Sequence, residues 1–208
     1  MSADKRDHIL MVAEKLFGEK GFDGTSVRDI AQQAQVNLAM ISYYFGSKEK
    51  LLESLLEMRA NYTILEALNK DETLSPWQKV DRVIEFYVDK IMRNLCFHNI
   101  MQQGNQAQSE EIREYITNIK LKNFEQLKEI ILDGQKKQIF RNVDIEMTVG
   151  SFMGTISQIT LARHFYSKLF AIDINDDAAY IETMTGKLKK HLKQLLHAHL
   201  VIRNEELN

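Results

Sequence analysis

The sequence predicts an all-α protein with a small N-terminal three-helix head and a larger helical body. Turn-forming residues are scarce, since the 208 residues include one proline and nine glycines, whereas sandwiches and barrels need many turns. Apolar residues also recur at helical spacing, as at Ile9, Val12, Ala13, Leu16 and Phe17, which form one stripe along a helix. The length fits one domain or two small ones.

Composition and charge exclude several classes of protein. A single cysteine, Cys96, rules out an intrachain disulfide and a four-thiolate zinc site. No apolar run approaches the roughly 20 residues of a spanning helix, and the charged first residues do not resemble a signal peptide. We therefore expect a cytoplasmic protein that does not contact a membrane. No recognisable Ser/His/Asp set or metal cluster occurs, so we expect no enzyme, cofactor or metal. Because the net charge is −2, any nucleic-acid binding must come from a local site.

The head is predicted to contain a long first helix followed by two short ones. The first covers about 5–20, with Asp4 as N-cap and Gly21 as a left-handed C-cap. Ser26 and Asp29 fit the capping-box pattern at the start of the second. Asn37 caps the third, which ends near Gly46. A longer helix is predicted over 48–66.

The body is predicted to be helical to its end. Ser75 as N-cap and Pro76 at the first helical position begin an amphipathic helix that reaches about residue 95. A loop over 102–108 precedes a helix over about 112–134. The segment 144–166 is apolar on several sides, which predicts burial on more than one of them. A last helix covers about 176–201.

The two short helices and their tight turn have the dimensions of a helix-turn-helix, over about 26–45. In that motif the second helix enters the major groove of double-stranded DNA. The side chains expected to read base edges are Arg28, Asn37, Leu38, Ala39, Met40, Ser42 and Tyr43. Those expected at phosphates are Thr25, Ser26, Tyr44 and Lys48.

The segment 25–52 resembles the N-terminal signature of TetR-type transcriptional regulators. The matching elements are Thr25, Asp29-Ile30-Ala31, Ala34, Val36, Tyr43-Tyr44-Phe45, Ser47-Lys48-Glu49 and Leu51-Leu52, preceded by Phe17-x-x-x-Gly21-Phe22. Two positions depart from the signature. Gln35 stands where the family usually has glycine, which suggests a slightly different turn. Ser42 stands where the family often has tyrosine, which removes one contact to DNA.

The resemblance implies a homodimer that binds a palindromic operator and releases it when a ligand binds the body. The implied division is a DNA-binding domain over 1–47 and a regulatory and dimerisation domain over 48–208. We expect a repressor that responds to a small hydrophobic effector. Activation, control by a protein partner, and a helical interaction protein that does not bind DNA remain alternatives.

Candidate ligand and dimer residues in the body follow from residue type and spacing. Aromatic and aliphatic candidates for a pocket between helices are Trp77, Tyr87, Met92, Phe97, Met101, Phe124, Met147, Phe152, Met153 and Ile156. Polar groups that could orient a ligand are His98, Gln158 and His164. The resemblance favours the last two helices as the dimer seam, with candidates Gly150, Gly154, Leu188, Leu192, Leu195 and Leu196. The basic run of Lys187, Lys189, Lys190 and Lys193 is expected to be a solvated helix surface.

Overall fold

The computed structural model describes residues 2–59, 62–104 and 107–202, and these residues form eleven α-helices. The helices are α1 (Ser2–Lys20), α2 (Val27–Gln33), α3 (Leu38–Phe45), α4 (Lys48–Arg59), α5 (Tyr62–Lys70), α6 (Pro76–Arg93), α7 (Leu95–Gln103), α8 (Glu110–Lys136), α9 (Ile145–Leu161), α10 (Arg163–Leu169) and α11 (Asp177–Leu200). The predicted all-α fold is confirmed.

The chain divides into two compact units. Unit 1 comprises residues 1–61 and 94–121, and unit 2 comprises residues 62–93 and 122–208. The head thus belongs to a unit that also contains α7 and the first part of α8. The functional boundary at residue 47 stays a prediction.

The core of unit 1 is built on α1. Its apolar stripe is buried, and α7 packs along it. The closest approach is at Gly18, where an added Cβ would lie 2.9 Å from Cα of Cys96. A side chain at position 18 would therefore push α7 away from α1.

A buried carboxylate also joins three parts of unit 1. Glu14 on α1 is 6% exposed. Its carboxylate accepts hydrogen bonds from Nε and Nη2 of Arg59 at 3.0 and 2.6 Å, and from Nδ2 of Asn94 at 2.8 Å. Since Arg59 ends α4 and Asn94 caps α7, this cluster fixes both helices against α1.

In unit 2, α11 packs along α6. The contact is apolar at its centre and ionic beside it. Lys189 pairs with Glu85 and Asp89, and Lys193 pairs with Asp81 and Glu85. The prediction that these two lysines are merely solvated is therefore wrong, because each faces carboxylates on a neighbouring helix.

Several predicted boundaries differ from the observed ones. The helix α1 begins at Ser2, and the segment predicted as one helix over 48–66 contains α4 and α5, with residues 60–61 outside the described ranges. The helix α6 ends at Arg93 because Oδ1 of Asn94 accepts the amide hydrogen of Phe97 and starts α7.

The segment predicted over 144–166 also differs in length and burial. The helix α9 ends at Leu161, and it is buried within the protomer on one side only. No helix in the described ranges is both long and apolar enough to cross a membrane.

His98 on α7 makes the stability of unit 1 dependent on pH. The side chain is 5% exposed, and its Nε2 has no hydrogen-bond partner among the described residues. Burial, assisted by the positive charge of Lys120, lowers the pKa of His98 from 6.5 to about 4. As the pH falls below 6.5, the His98 side chain therefore binds a proton in the unfolded chain, whereas in the folded protein it does so only near pH 4. The folded state loses stability between these two pH values.

We expect His98→Met to flatten this dependence, because methionine does not titrate. The thermal midpoint of the native protein should fall more steeply between pH 6.5 and 4 than that of the variant. The corresponding loss in the free energy of unfolding is at most about 3 kcal/mol. Calorimetry or circular dichroism across this range provides the measurement. Parallel curves for the two proteins would contradict the role of His98.

Candidate nucleic-acid interface

The helix α2 begins at a complete capping box. Oγ of Ser26 accepts the amide hydrogen of Asp29 at 3.1 Å, and Oδ2 of Asp29 accepts the amide hydrogen of Ser26 at 3.0 Å and its hydroxyl hydrogen at 2.6 Å. These bonds from Ser26 lower the pKa of Asp29. The hydroxyl hydrogen of Ser26 is thus bonded within its own helix, and its role as a phosphate donor stays a prediction.

Thr25 also serves the fold. It is 1% exposed, and its hydroxyl lies 2.8 Å from the carbonyl oxygen of Gly21 and 3.2 Å from that of Leu16. The prediction that this side chain contacts phosphate is wrong, because a buried hydroxyl that donates to the end of α1 is not available to a ligand.

The turn between α2 and α3 contains a residue in the left-handed backbone conformation that is not a glycine. Gln35 has φ of 54°, a conformation that costs a non-glycine residue about 1–2 kcal/mol. The expectation of a slightly different turn stays a prediction. The amide of Val36 bonds the carbonyl of Ala31 at 3.0 Å, and Nε2 of His8 lies 3.2 Å from the carbonyl oxygen of Ala34. These bonds hold the turn in place.

The helix α3 separates a buried side from an exposed one. Ile41 and Phe45 are 2% and 7% exposed and pack inward, whereas Tyr43 is 84% exposed. The other exposed residues of α3 are Leu38, Ala39 and Ser42. The small Ala39 and Ser42 leave room for a base edge to approach this side of the helix.

The remaining predicted base-reading residues are placed less uniformly. Arg28 is exposed on α2. Asn37 is exposed, and its Oδ1 accepts the amide hydrogen of Ala39 at 3.0 Å, which leaves one lone pair of this oxygen and the amide nitrogen for a base. Met40 is half-buried. Tyr44, which was predicted to contact a phosphate, is half-buried too, and its ring lies edge-to-face with that of Tyr43 at 5.3 Å between centroids.

Lys48 has a structural role that its sequence context does not reveal. Its Nζ donates to the carbonyl oxygens of Phe22 and Thr25 at 2.9 and 3.0 Å, and lies 4.1 Å from the centroid of the Phe22 ring. Two of the three ammonium protons thus close the loop before α2, and the phosphate contact of Lys48 stays a prediction. The partners lie more than 20 residues earlier in the chain, so no local pattern indicates them.

Lys50 is also engaged within the protein. Its Nζ lies 2.8 Å from Glu53 and 3.9 Å from Glu111, and the hydrogen bond to Glu53 raises its pKa. Of the three basic residues in segment 24–50, Arg28 is the one for which the described residues supply no ion pair or hydrogen bond.

The predicted pocket residues do not gather around one cavity. In unit 2 residues of α6, α8, α9 and α11 line an apolar cavity of about 30 Å³, and Phe152 is the predicted pocket residue among them. The ring of Tyr87 packs edge-to-face on Phe152 at 5.8 Å. Met92 and Ile156 are buried, and Met153 is half-buried.

The other ligand candidates lie elsewhere. Trp77 packs on His197, and Phe124 lies under the ammonium of Lys128. Phe97, Met101 and His98 belong to unit 1. Met147 is 66% exposed, so the prediction that it lines a pocket between helices is wrong. Gln158 and His164 are exposed as well.

The dimer candidates fall into two groups. Leu188, Leu192 and Leu196 are 1%, 0% and 7% exposed. The prediction that they form a dimer surface is wrong, because they fill the protomer core. Leu195 is 42% exposed. Gly150 and Gly154 are exposed, and an added Cβ at either would meet no atom within 4 Å.

Comparison with known proteins identifies two matching regions. Residues 9–55 match the family described as "Bacterial regulatory proteins, tetR family", and residues 76–185 match "Tetracyclin repressor-like, C-terminal domain". The HTH-type transcriptional repressor NicS of Pseudomonas putida is 34% identical over 188 residues, which cover 86% of this chain and 87% of NicS. A negative regulator of the icaADBC biofilm operon, IcaR of Staphylococcus epidermidis, is 28% identical over 55% of this chain and 62% of its own length.

Solved structures share the fold. The hemolysin II transcriptional regulator HlyIIR superposes with a TM-score of 0.67 at 27% identity, over 88% of this chain and 98% of HlyIIR. The ketosteroid regulator KstR2 of Mycobacterium tuberculosis has a TM-score of 0.73 over 95% of both chains, at 17% identity. The second likeness concerns the fold alone.

Lys48→Met should destabilise the protein. Methionine preserves the apolar contact with the Phe22 ring but leaves two carbonyl oxygens without their charged donor, at a cost of about 1–3 kcal/mol. Denaturant unfolding measures the difference. Lys50→Met is the matched control, because an exposed ion pair contributes little to stability. Equal stability of the two variants would contradict the structural role of Lys48.

Proposed function

Because this chain belongs to the TetR family of bacterial regulatory proteins, we propose that it is a repressor that binds a palindromic operator as a homodimer. The family assignment makes it a DNA-binding transcriptional regulator. The names of NicS and IcaR, a repressor and a negative regulator, support repression over activation. We further propose that it acts in the cytoplasm, has no catalytic role, and leaves its operator when a small hydrophobic effector binds.

The exposed side of α3 is the observation that carries this proposal. Tyr43 projects from a helix whose opposite side is anchored by Ile41 and Phe45. A rigid helix that presents small side chains beside one exposed aromatic side chain suits a major groove. Arg28 on the preceding helix adds a guanidinium group that fits the O6 and N7 atoms of guanine.

Arg28→Ala and Tyr43→Ala should each weaken operator binding about tenfold or more, since a good base contact contributes about 1–3 kcal/mol. The thermal midpoint should hardly change, because both side chains are exposed. We would titrate the protein by fluorescence anisotropy against DNA from immediately upstream of its own gene and against a scrambled duplex. If the protein does not bind that DNA, genomic fragments selected for binding to the protein replace it as the operator in the titration.

Arg82→Ala is the matched control for Arg28→Ala, because Arg82 is an exposed arginine on α6 in unit 2. If Arg28→Ala and Tyr43→Ala both keep the operator affinity of the native protein, the surface that contacts the bases lies elsewhere. Failure of the native protein to prefer any genomic fragment over the scrambled duplex would contradict the regulator proposal and favour an interaction protein.

The homodimer is proposed to form through the exposed side of α9. Six residues of this helix share that side at helical spacing: Met147, Gly150, Ser151, Gly154, Gln158 and Leu161. Met147 and Leu161 are 66% and 62% exposed. Glycine and serine between two apolar side chains allow a second helix to approach closely, and an exposed apolar surface of this kind is typical of an interface.

Gly154→Lys should convert the dimer to a monomer, because a charged side chain would separate the paired helices. The protomer should tolerate the change, since an added Cβ at position 154 meets no atom within 4 Å and lysine favours a helix more than glycine does. Sedimentation velocity gives the oligomeric state. Asn118→Lys, at an exposed position of α8, is the control, and a Gly154→Lys variant that stays dimeric would place the interface elsewhere.

The proposed effector acts by shifting a conformational equilibrium. The cavity in unit 2 has about 30 Å³, far less than the roughly 300–1,000 Å³ of ligand pockets. An effector must therefore bind a conformation in which the apolar walls are farther apart, and must bind it more tightly than the DNA-bound one. Repeating the anisotropy titration with apolar compounds tests for release of the operator.

A further inference from the structure

The helix-turn-helix has few free cations for a surface that approaches DNA. Lys48 donates to two backbone carbonyls, and Lys50 pairs with Glu53. Arg28 is the remaining basic residue of segment 24–50, and its proposed role is to contact a base. Binding to DNA normally requires several phosphates to be neutralised by lysine or arginine, so positive charge must come from another part of unit 1.

Arg6 meets this requirement. It lies in the first turns of α1, and its guanidinium carbon is 5.2 Å from the centroid of the Phe45 ring, at the end of α3. Two residues further along, His8 contacts the carbonyl of Ala34 at the end of α2. The start of α1 is therefore attached to both helices of the motif.

The guanidinium group is oriented but not neutralised. Arg6 is half-buried, and within the described ranges the structure records its cation–π contact with Phe45 and no ion pair. A contact with an aromatic ring uses none of the N–H donors of the guanidinium group as hydrogen bonds to an oxygen, and their planar fork matches a phosphate. The ring thus restricts the long side chain before any ligand arrives.

We propose that Arg6 binds a phosphate of the DNA backbone next to the segment read by α3. This inference rests on the proposed DNA-binding function. It adds a contact from outside the helix-turn-helix, and each protomer of a dimer supplies one. A phosphate contact strengthens binding to every sequence by the same factor, because the phosphate carries no information about the base.

A purely structural role for Arg6 makes different predictions. If Arg6 only supported Phe45, its removal would disturb α3 and reduce the preference for the operator over a scrambled duplex. The dependence of affinity on salt would then be unchanged, since the number of phosphate contacts would be the same.

The test compares Arg6→Gln with the native protein by anisotropy titration of both duplexes over a series of salt concentrations. We expect affinity for the two duplexes to fall by the same factor, roughly tenfold at 0.1 M salt. The slope of log affinity against log salt should fall by about 0.9 for each contact, or about two for a dimer. Arg6→Lys keeps the charge and should retain most of this slope.

Lys15→Gln is the matched control, because Lys15 is an exposed cation of α1 whose recorded partner is Glu19 at 4.0 Å. A native slope in Arg6→Gln, or a loss confined to the operator duplex, would overturn the proposal. If Arg28→Ala loses operator affinity while Arg6→Gln does not, the regulator proposal stands and this inference fails. If the native protein binds neither duplex nor any genomic fragment, both fail.

Discussion

The buried carboxylate of Glu14 is the interaction on which the organisation of unit 1 depends. It receives three hydrogen bonds from the ends of two other elements, so α4 and α7 are both fixed by one charge on α1. Removing one of these donors costs about 1–3 kcal/mol, because the buried carboxylate then loses a hydrogen-bond partner. Close contact at Gly18 completes the attachment of α7. The DNA-reading head is therefore part of a larger cooperative unit.

The head uses many of its polar side chains to define its own shape. Thr25, Ser26 and Lys48 all satisfy groups at the ends of α1 and α2 or in the loop between them. Such bonds fix the angle between α1 and the helix-turn-helix before DNA is present. A preorganised surface loses less conformational entropy on binding. The exposed Arg28 and Tyr43 are held by this framework and take no part in it.

Much of the fold could be predicted because local rules dominate it. Capping residues at Ser26, Asn37 and Ser75 mark helix starts that the structure confirms, since a cap needs only neighbours within three residues. The predicted helix boundaries were wrong where a capping residue was not recognised in the sequence. Asn94 is an example, because its capping bond to Phe97 ends α6 and starts α7. The exposure of Arg28 and Tyr43 agrees with the sequence analysis and the burial of Thr25 does not, because residue type alone does not separate a hydroxyl facing water from one facing a carbonyl.

The sequence by itself determined the helical class, the helix-turn-helix and the family, because periodicity, caps and a short signature lie within contiguous segments. Tertiary structure decided which residues are available for function. Leu188, Leu192 and Leu196 proved to be core and Gly150 and Gly154 surface, although the sequence analysis assigned all five to one dimer surface. Arg6 acquired its position from Phe45, 39 residues away in the chain. Burial and long-range contacts depend on how helices pack, and no local pattern of residues specifies that packing.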